Sequence, residues 1–401
     1  MNNRDTNNQD KLAAKNSSIV KVVMTAVLLF LILITSSNGQ NLSCIKKPDA
    51  KYGRPTNLLK TYISHRGLFC LHFINSTQDS VPQVYTMNDT IPNFIILAGE
   101  YFEHSYEFIV DTLHLIPPPV DQSLNPEIDV YFSNIGQGYY GMTVAENDVP
   151  STSQLHDYTA YIELHNNFEG TSFYTHGTEA LKVTCAHELF HVFQLGYNLW
   201  DWTDDEIWFL ESSSCWIEDA VFPDVNDYFQ YVYSYSSAWG QPIMNYYNGS
   251  VSFNIFLESK FPGFTNEVWT NILEKNVFNS LDSFLKTKYQ SNHWENAISE
   301  IGASHVYCSD QKFYSNSFFP DAKELPGIIY KTDHFLELND FDTTSFILKG
   351  REFSNQFYSL SNINSNQLKV SLLNAKDVEV IVIVKDGIIN YERKLGSTVE
   401  Y

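Results

Sequence analysis

The sequence predicts an α/β (α+β) fold: a mixed-sheet lobe, a helical lobe behind it, and a small all-β domain at the C-terminal end. Three observations predict it. Over 65–195, short apolar runs of strand character alternate with helical stretches. Over about 200–305 the pattern is mostly helical and rich in aromatic residues. From 327 to 401, short apolar runs are separated by turn signals, as in a small antiparallel sheet. The domain expectation is a leader over 1–39, a main domain over 45–310 and the β domain over 327–401.

The elements follow in chain order. Residues 69–74 alternate well enough for a strand. Pro92 opens a long helix to about Leu113, since proline suits the first helical position, and Pro117, Pro118 and Pro119 end that unit. Residues 129–132 read as a strand, followed by a Gly- and Tyr-containing turn at 136–141. Residues 158–164 read as a further strand, either at a sheet edge, where an extended peptide would pair with it, or in the sheet interior. Thr178 and Glu179 could cap a helix running to Leu195, with Gly196 as its stop. Asp204 and Asp205 are caps for the next helix, which Phe222 and Pro223 end. Pro223 and the 240–242 turn divide the helical lobe. In the tail, 345–348, 368–373 and 378–384 are the strand candidates.

Composition narrows the function classes. Apolar residues make up 43 % and charged ones 18 % of 401, enough for a buried core and unlike a disordered chain. A net charge of −22 excludes nucleic acid as the expected partner, because phosphate binding needs a basic surface. Arg4, Lys11, Lys15 and Lys21 precede an apolar run at 22–34, with Ser37 and Gly39 placed for cleavage after Gly39. That is the layout of a secretory signal peptide, with a signal anchor as the alternative. The run is short for a span of about twenty residues, so no stable membrane insertion is expected after cleavage. Asn41, Asn75, Asn88 and Asn248 open glycosylation sequons, in keeping with a secreted glycoprotein. Of five cysteines, Cys44 with Cys70 and Cys185 with Cys215 are plausible disulfide bonds, leaving Cys308 single.

The chemistry is carried by His187-Glu188-Leu189-Phe190-His191, an HExxH sequence inside a predicted helix. Positions i and i+4 share one helical face, so both imidazoles can address one ion. Glu188 is one residue on and can reach a water on that ion. A catalytic metal needs a third protein ligand and one open position. Just downstream, Glu211, Cys215 and Glu218 fall on one face of the next helix. A carboxylate on so apolar a helix is costly to bury without a partner, and a metal ion is one such partner. Seven residues separate Glu211 from Glu218, roughly 10 Å of helical rise, so one ion cannot take both. No GxSxG, P-loop or Rossmann glycine pattern competes. His176, His293 and His305 read as structural or exposed.

These residues resemble the gluzincin metallopeptidases, which join HExxH to a glutamate ligand on a second helix. The 186–194 and 208–219 stretches are similar to a poorly characterised group of secreted, largely bacterial metallopeptidases. The likeness extends over about 71–264. It implies a zincin-like peptidase domain and a Zn2+ cofactor bound by His187, His191 and Glu211, with Glu188 as general base. It also implies a protein or peptide substrate, and the lack of a GxMEN-like motif of the related aminopeptidases tilts the expectation toward an endopeptidase. Tyr246 and Tyr247 lie in the helical part, where a gluzincin-like enzyme would supply a phenol to the oxyanion. Cys215 stands where thermolysin-like enzymes have an aspartate that orients a zinc histidine. Glu218 is the candidate to replace that aspartate. Gln194 and Tyr197 stand where metzincins have a glycine and a third histidine. The rival reading is a catalytically silent secreted binding or adhesive glycoprotein that keeps the fold.

Overall fold

A computed structural model describes residues 43–309 apart from 50–51, 87–89, 121–125, 137, 150–156, 198, 200–202 and 237–239. It then describes 315, 317–328 and short pieces between 335 and 400. The leader over 1–39 lies outside the described residues, as does the strand expected at 345–348. Within the tail, six three-residue strands (Phe335–Glu337, Ser359–Ser361, Lys369–Ser371, Val380–Val382, Glu392–Lys394 and Thr398–Glu400) form three separate pairs.

The N-terminal lobe is a six-stranded mixed sheet. Its strands are β1 (Ile45–Lys46), β2 (Lys60–Ile63), β3 (Phe69–Phe73), β4 (Ile128–Ser133), β5 (Gly141–Asp148) and β6 (Tyr158–His165), in the order β1-β5-β6-β4-β3-β2. β3, β4 and β6 run parallel, while β2 and β5 are antiparallel to their neighbours β3 and β6. Parallel β3 and β4 need a crossover, and helix α1 (Asn93–Glu107) lies in that connection. Pro92 caps α1 instead of occupying its first turn, and its carbonyl accepts from Ile95 and Ile96 at 2.9 and 3.2 Å. Phe94, Ile95, Ala98 and Phe102 form its buried stripe. The helix ends in a π-helical turn, Phe108–Thr112.

One expectation changes here and one alternative is decided. The segment read as a turn at 136–141 leads into β5, an eight-residue strand that the sequence reading missed. β5 is irregular, with a register shift between Ala145 and Asp148, and its Gly, Asn and Asp depress strand propensity. As a result β6 is not an edge strand. It is hydrogen-bonded on both sides, to β4 and β5. The edge beyond β5 is taken by β1, which pairs parallel to it through Ile45 with Thr143 and Lys46 with Val144.

Helix α2 (Gly177–Leu195) packs against β5, β6 and α1, and is buried from Val183 through Leu195. Covered on all sides, it needs no polar face. Gly196 follows it as expected. Helix α3 (Asp204–Val221) lies against α2, with Thr203 preceding it. The rest of the helical lobe is α4 (Phe229–Ser236), a 3-10 segment Ile243–Ser250, α5 (Val251–Lys260), α6 (Phe264–Ile272), α7 (Val277–Tyr289) and α8 (His293–Tyr307). Aromatic contacts lock this lobe to α2 and α3. Trp269 of α6 is fully buried, with its ring 5.9 Å from Phe190, 5.2 Å from Tyr197 and 5.9 Å from Phe209.

The expected disulfides are absent, as all five cysteines are free thiols. Cys70 is held near Asp129 on the sheet, while Cys44 lies among the histidines of α2. Cys185 and Cys215 are both buried, and Cys215 lies near His187 and Glu218. Among the described residues no helix is long and apolar enough to cross a membrane.

Candidate metal centre

The centre lies where α2 meets α3 beside the outer strands of the sheet. The helical period of α2 brings His187 and His191 together, with their Nε2 atoms 3.2 Å apart. From α3, Glu211 turns its fully buried carboxylate to the same point, with Oε2 3.5 Å from His187 Nε2 and 3.6 Å from His191 Nε2. Cys44, just before β1, completes the group. Its Sγ lies 3.1 Å from His187 Nε2, 3.0 Å from His191 Nε2 and 3.3 Å from Glu211 Oε2.

Hydrogen bonds on the far side of each ring fix the imidazole orientations. Gln194 donates from Nε2 to the Leu210 carbonyl at 2.9 Å, so its Oε1 is the end facing His191 Nδ1 at 2.7 Å. His191 Nδ1 therefore carries a proton, and Nε2 is the nitrogen turned to the cluster. Ser214 Oγ also lies 3.2 Å from that Nδ1. His187 Nδ1 lies 2.5 Å from Glu218 Oε1, which again leaves Nε2 for the cluster. The two Nε2 atoms face each other at 3.2 Å, an arrangement that either a shared proton or a cation between them satisfies.

The separations fit a metal. Ligand atoms about 2.0–2.3 Å from one ion in a tetrahedron lie about 3.3–3.6 Å from each other. All six separations in the Cys44, His187, His191 and Glu211 group fall between 3.0 and 3.6 Å, the two from sulfur to the imidazole nitrogens being the shortest at 3.0 and 3.1 Å. Two imidazoles, a carboxylate and a thiol form a donor set suited to a divalent metal of zinc type.

Electrostatics agree. Burial alone would raise the Glu211 carboxyl, but the charges of His191 and His187 and their hydrogen bonds hold it well below the usual carboxylate range. Burial pushes Glu218 up to about 7, against the hydrogen bond to His187. The Cys44 thiol is driven well above its ordinary value by burial and by the Glu188 and Glu211 charges. A divalent cation reverses that preference, since a coordinated thiol is deprotonated.

Glu188 stands beside the four ligand atoms. Its Oε2 is 2.8 Å from Thr143 Oγ1 on β5, and its charge acts on Cys44. Gly141 makes room for it. A Cβ there would lie 2.8 Å from both Glu188 Cγ and Glu188 Oε1.

The structure thus brings together His187, Glu188, His191, Glu211 and Glu218. His176, His293 and His305 lie in other settings. His293 pairs with Asp282 at 2.7 Å, His305 is buried 3.1 Å from Ser252 Oγ, and His176 precedes α2. Tyr246 packs its ring 5.3 Å from Tyr235. The sequence reading missed three partners: Cys44, Gln194 and Thr143. Gln194 carried a weak signal, as a polar residue three positions after His191 in an apolar helix. Cys44 carried none beyond being a cysteine close after the leader.

Compared with protein-family models, with curated proteins and with solved structures, the chain finds no match in any of the three. The gluzincin-like character rests on the geometry of HExxH with Glu211. No relationship ties the chain to the secreted bacterial group.

Proposed function

We propose that this chain is a secreted zinc-dependent metallopeptidase, acting as an endopeptidase on protein or peptide substrates. The observation that carries this reading is the near-tetrahedral set of His187, His191, Glu211 and Cys44 atoms with Glu188 beside it. His187, His191 and Glu211 would hold the metal. Bound zinc supplies a polarised carbonyl and a water whose pKa falls toward 7. Glu188 would act as the general base, accepting a proton from the attacking water and passing it to the leaving amine. Glu218 and Gln194 hold the two imidazoles in the orientation that keeps Nε2 available.

One observation favours a second reading. With Cys44 included, the site has four protein ligands, the number found in structural zinc sites. A silent binding glycoprotein with a structural metal would look like this. A base beside the ligands, cradled by Thr143 and Gly141, has no use in such a protein, which favours the peptidase.

Metal analysis of the purified chain should return one zinc per chain, lost in His187→Ala. A peptide-library digest by the full chain, both native and carrying Cys44→Ala, should show cleavage in at least one form. A metal-free chain, or a loaded one that cleaves nothing in either form, overturns the proposal.

A further inference from the structure

A metal that activates water needs one position free of protein ligands. Here that position is occupied from within the chain. Cys44 Sγ stands at 3.0–3.3 Å from the three other ligand atoms. The flanking backbone is anchored at the same place. Cys44 N–H donates to Glu211 Oε1 at 2.7 Å, and the Cys44 carbonyl accepts from Thr143 N at 3.1 Å.

The same segment also covers the sheet edge. β5 is the outermost long strand on the metal side, and it carries Thr143, the partner of Glu188. Its outer edge would accept an extended peptide by strand addition, whose demands are on backbone and not on sequence. β1 occupies that edge, with Ile45 paired to Thr143 and buried to 4 % exposure. Immediately after β1, residues 47–49 are exposed and outside any helix or strand.

We infer that the intact chain is latent: Cys44 closes the metal as its fourth ligand, β1 fills the substrate strand position on β5, and removal of this segment switches the enzyme on. The inference rests on the peptidase reading of the site. Activation is hydrolysis of one peptide bond within the exposed 47–49 stretch by a separate peptidase. It consumes one water and leaves a new carboxylate and a new amine. The freed segment takes its thiolate with it, the thiolate gains a proton from water, and a water molecule enters the vacated position. A free Cys44 thiol, unpaired with Cys70, is what this requires.

Cobalt(II) as the probe metal separates latency from the peptidase reading. The cobalt-loaded full chain should show a thiolate-to-cobalt charge-transfer band that is absent in Cys44→Ala and Cys44→Ser. With zinc, both variants, and the wild-type chain cut within 47–49, should hydrolyse peptides faster than the intact chain. The expected gain is about 10²-fold or more, the scale on which loss of proton transfer to and from an activated water acts. A bound metal without the sulfur band, or an intact chain as fast as the variants, overturns latency and leaves the peptidase standing. A sulfur band with no hydrolysis in any form overturns the peptidase and latency with it, and marks the site as structural.

Discussion

Glu188 and the pair Glu211/Glu218 illustrate how three carboxylates close to one centre are given different work by their surroundings. Glu211 is fully buried and faces two imidazole nitrogens, Glu218 faces the opposite nitrogen of one ring, and Glu188 faces a threonine hydroxyl. Glu188→Gln should therefore keep the metal and lose hydrolysis by about 10²–10⁴-fold, as expected for removal of a general base. Metal content and turnover measured on one sample, freed of the Cys44 block, check this, and undiminished turnover would remove Glu188 from the mechanism. Glu218→Ala should weaken metal binding by about 10–100-fold, the usual effect of losing a partner that orients a ligand histidine. Glu211→Ala should weaken it further, since a ligand is lost. Competition titrations with a chelator give the order, and a reversed order would exchange the two roles.

The strand β5 shapes the site although none of its residues is among the four ligand atoms. At Gly141 the close approach of Glu188 leaves no room for a side chain, because an added Cβ would meet Glu188 and also Leu164 Cδ2 at 2.9 Å. Gly141→Ala should displace Glu188 while the histidines stay in place. The expected result is metal content near one per chain with hydrolysis reduced tenfold or more (about 1.4 kcal/mol on the barrier). Loss of the metal together with activity would show that the strand supports the whole centre instead. On the same sheet, Arg54 joins Asp129 of β4 to Glu146 of β5, and His72 of β3 lies 2.7 Å from Asp129. Burial alone would raise the Asp129 carboxyl, but the His72 hydrogen bond and the charges of Arg54 and His72 leave it below its ordinary value. A carboxyl lowered in the folded state contributes stability that is complete above its unfolded value of about 3.9 and is lost as pH falls through the folded value. Thermal midpoints between pH 5 and pH 2, of the order of that window, should fall more steeply for the native chain than for Asp129→Asn. Parallel curves would show that the carboxylate adds nothing.

For the molecule as a whole, the candidate metal centre joins parts of the chain that are distant in sequence. Glu211 and Cys44 are 167 residues apart, and the ligands come from α2, α3 and the segment before β1. Each ligand set bound only in the folded state adds stability by mass action, about 4 kcal/mol at a free metal concentration a thousandfold above the dissociation constant. Chelation should therefore lower the denaturant midpoint, and returning zinc should restore it. The aromatic packing of α6 against α2 and α3 through Trp269 involves none of the four groups. An unfolding midpoint insensitive to chelation would show that the four groups do not share an ion.

What the sequence determined by itself was local. An i, i+4 histidine pair follows from 3.6 residues per turn, and so does the common face of Glu211, Cys215 and Glu218. Pro92 and the Phe222–Pro223 pair punctuate helices through proline's backbone limits, and Gly196 follows α2 at an ordinary negative φ, so those boundaries were legible within a residue or two. Strands β3, β4 and β6 showed their apolar pattern, whereas β5 did not, because its bulge and polar end break the alternation. Tertiary structure decided everything that depends on pairing across long separations. It set β6 inside the sheet and β5 outside it, and it laid β1 along β5. It also placed Cys44, 143 residues from His187, in the cluster and not in a disulfide. A residue's own neighbours cannot encode such a contact, because the burial, charge and backbone pairing that hold Cys44 there belong to surfaces that exist only once the sheet and the two helices have met.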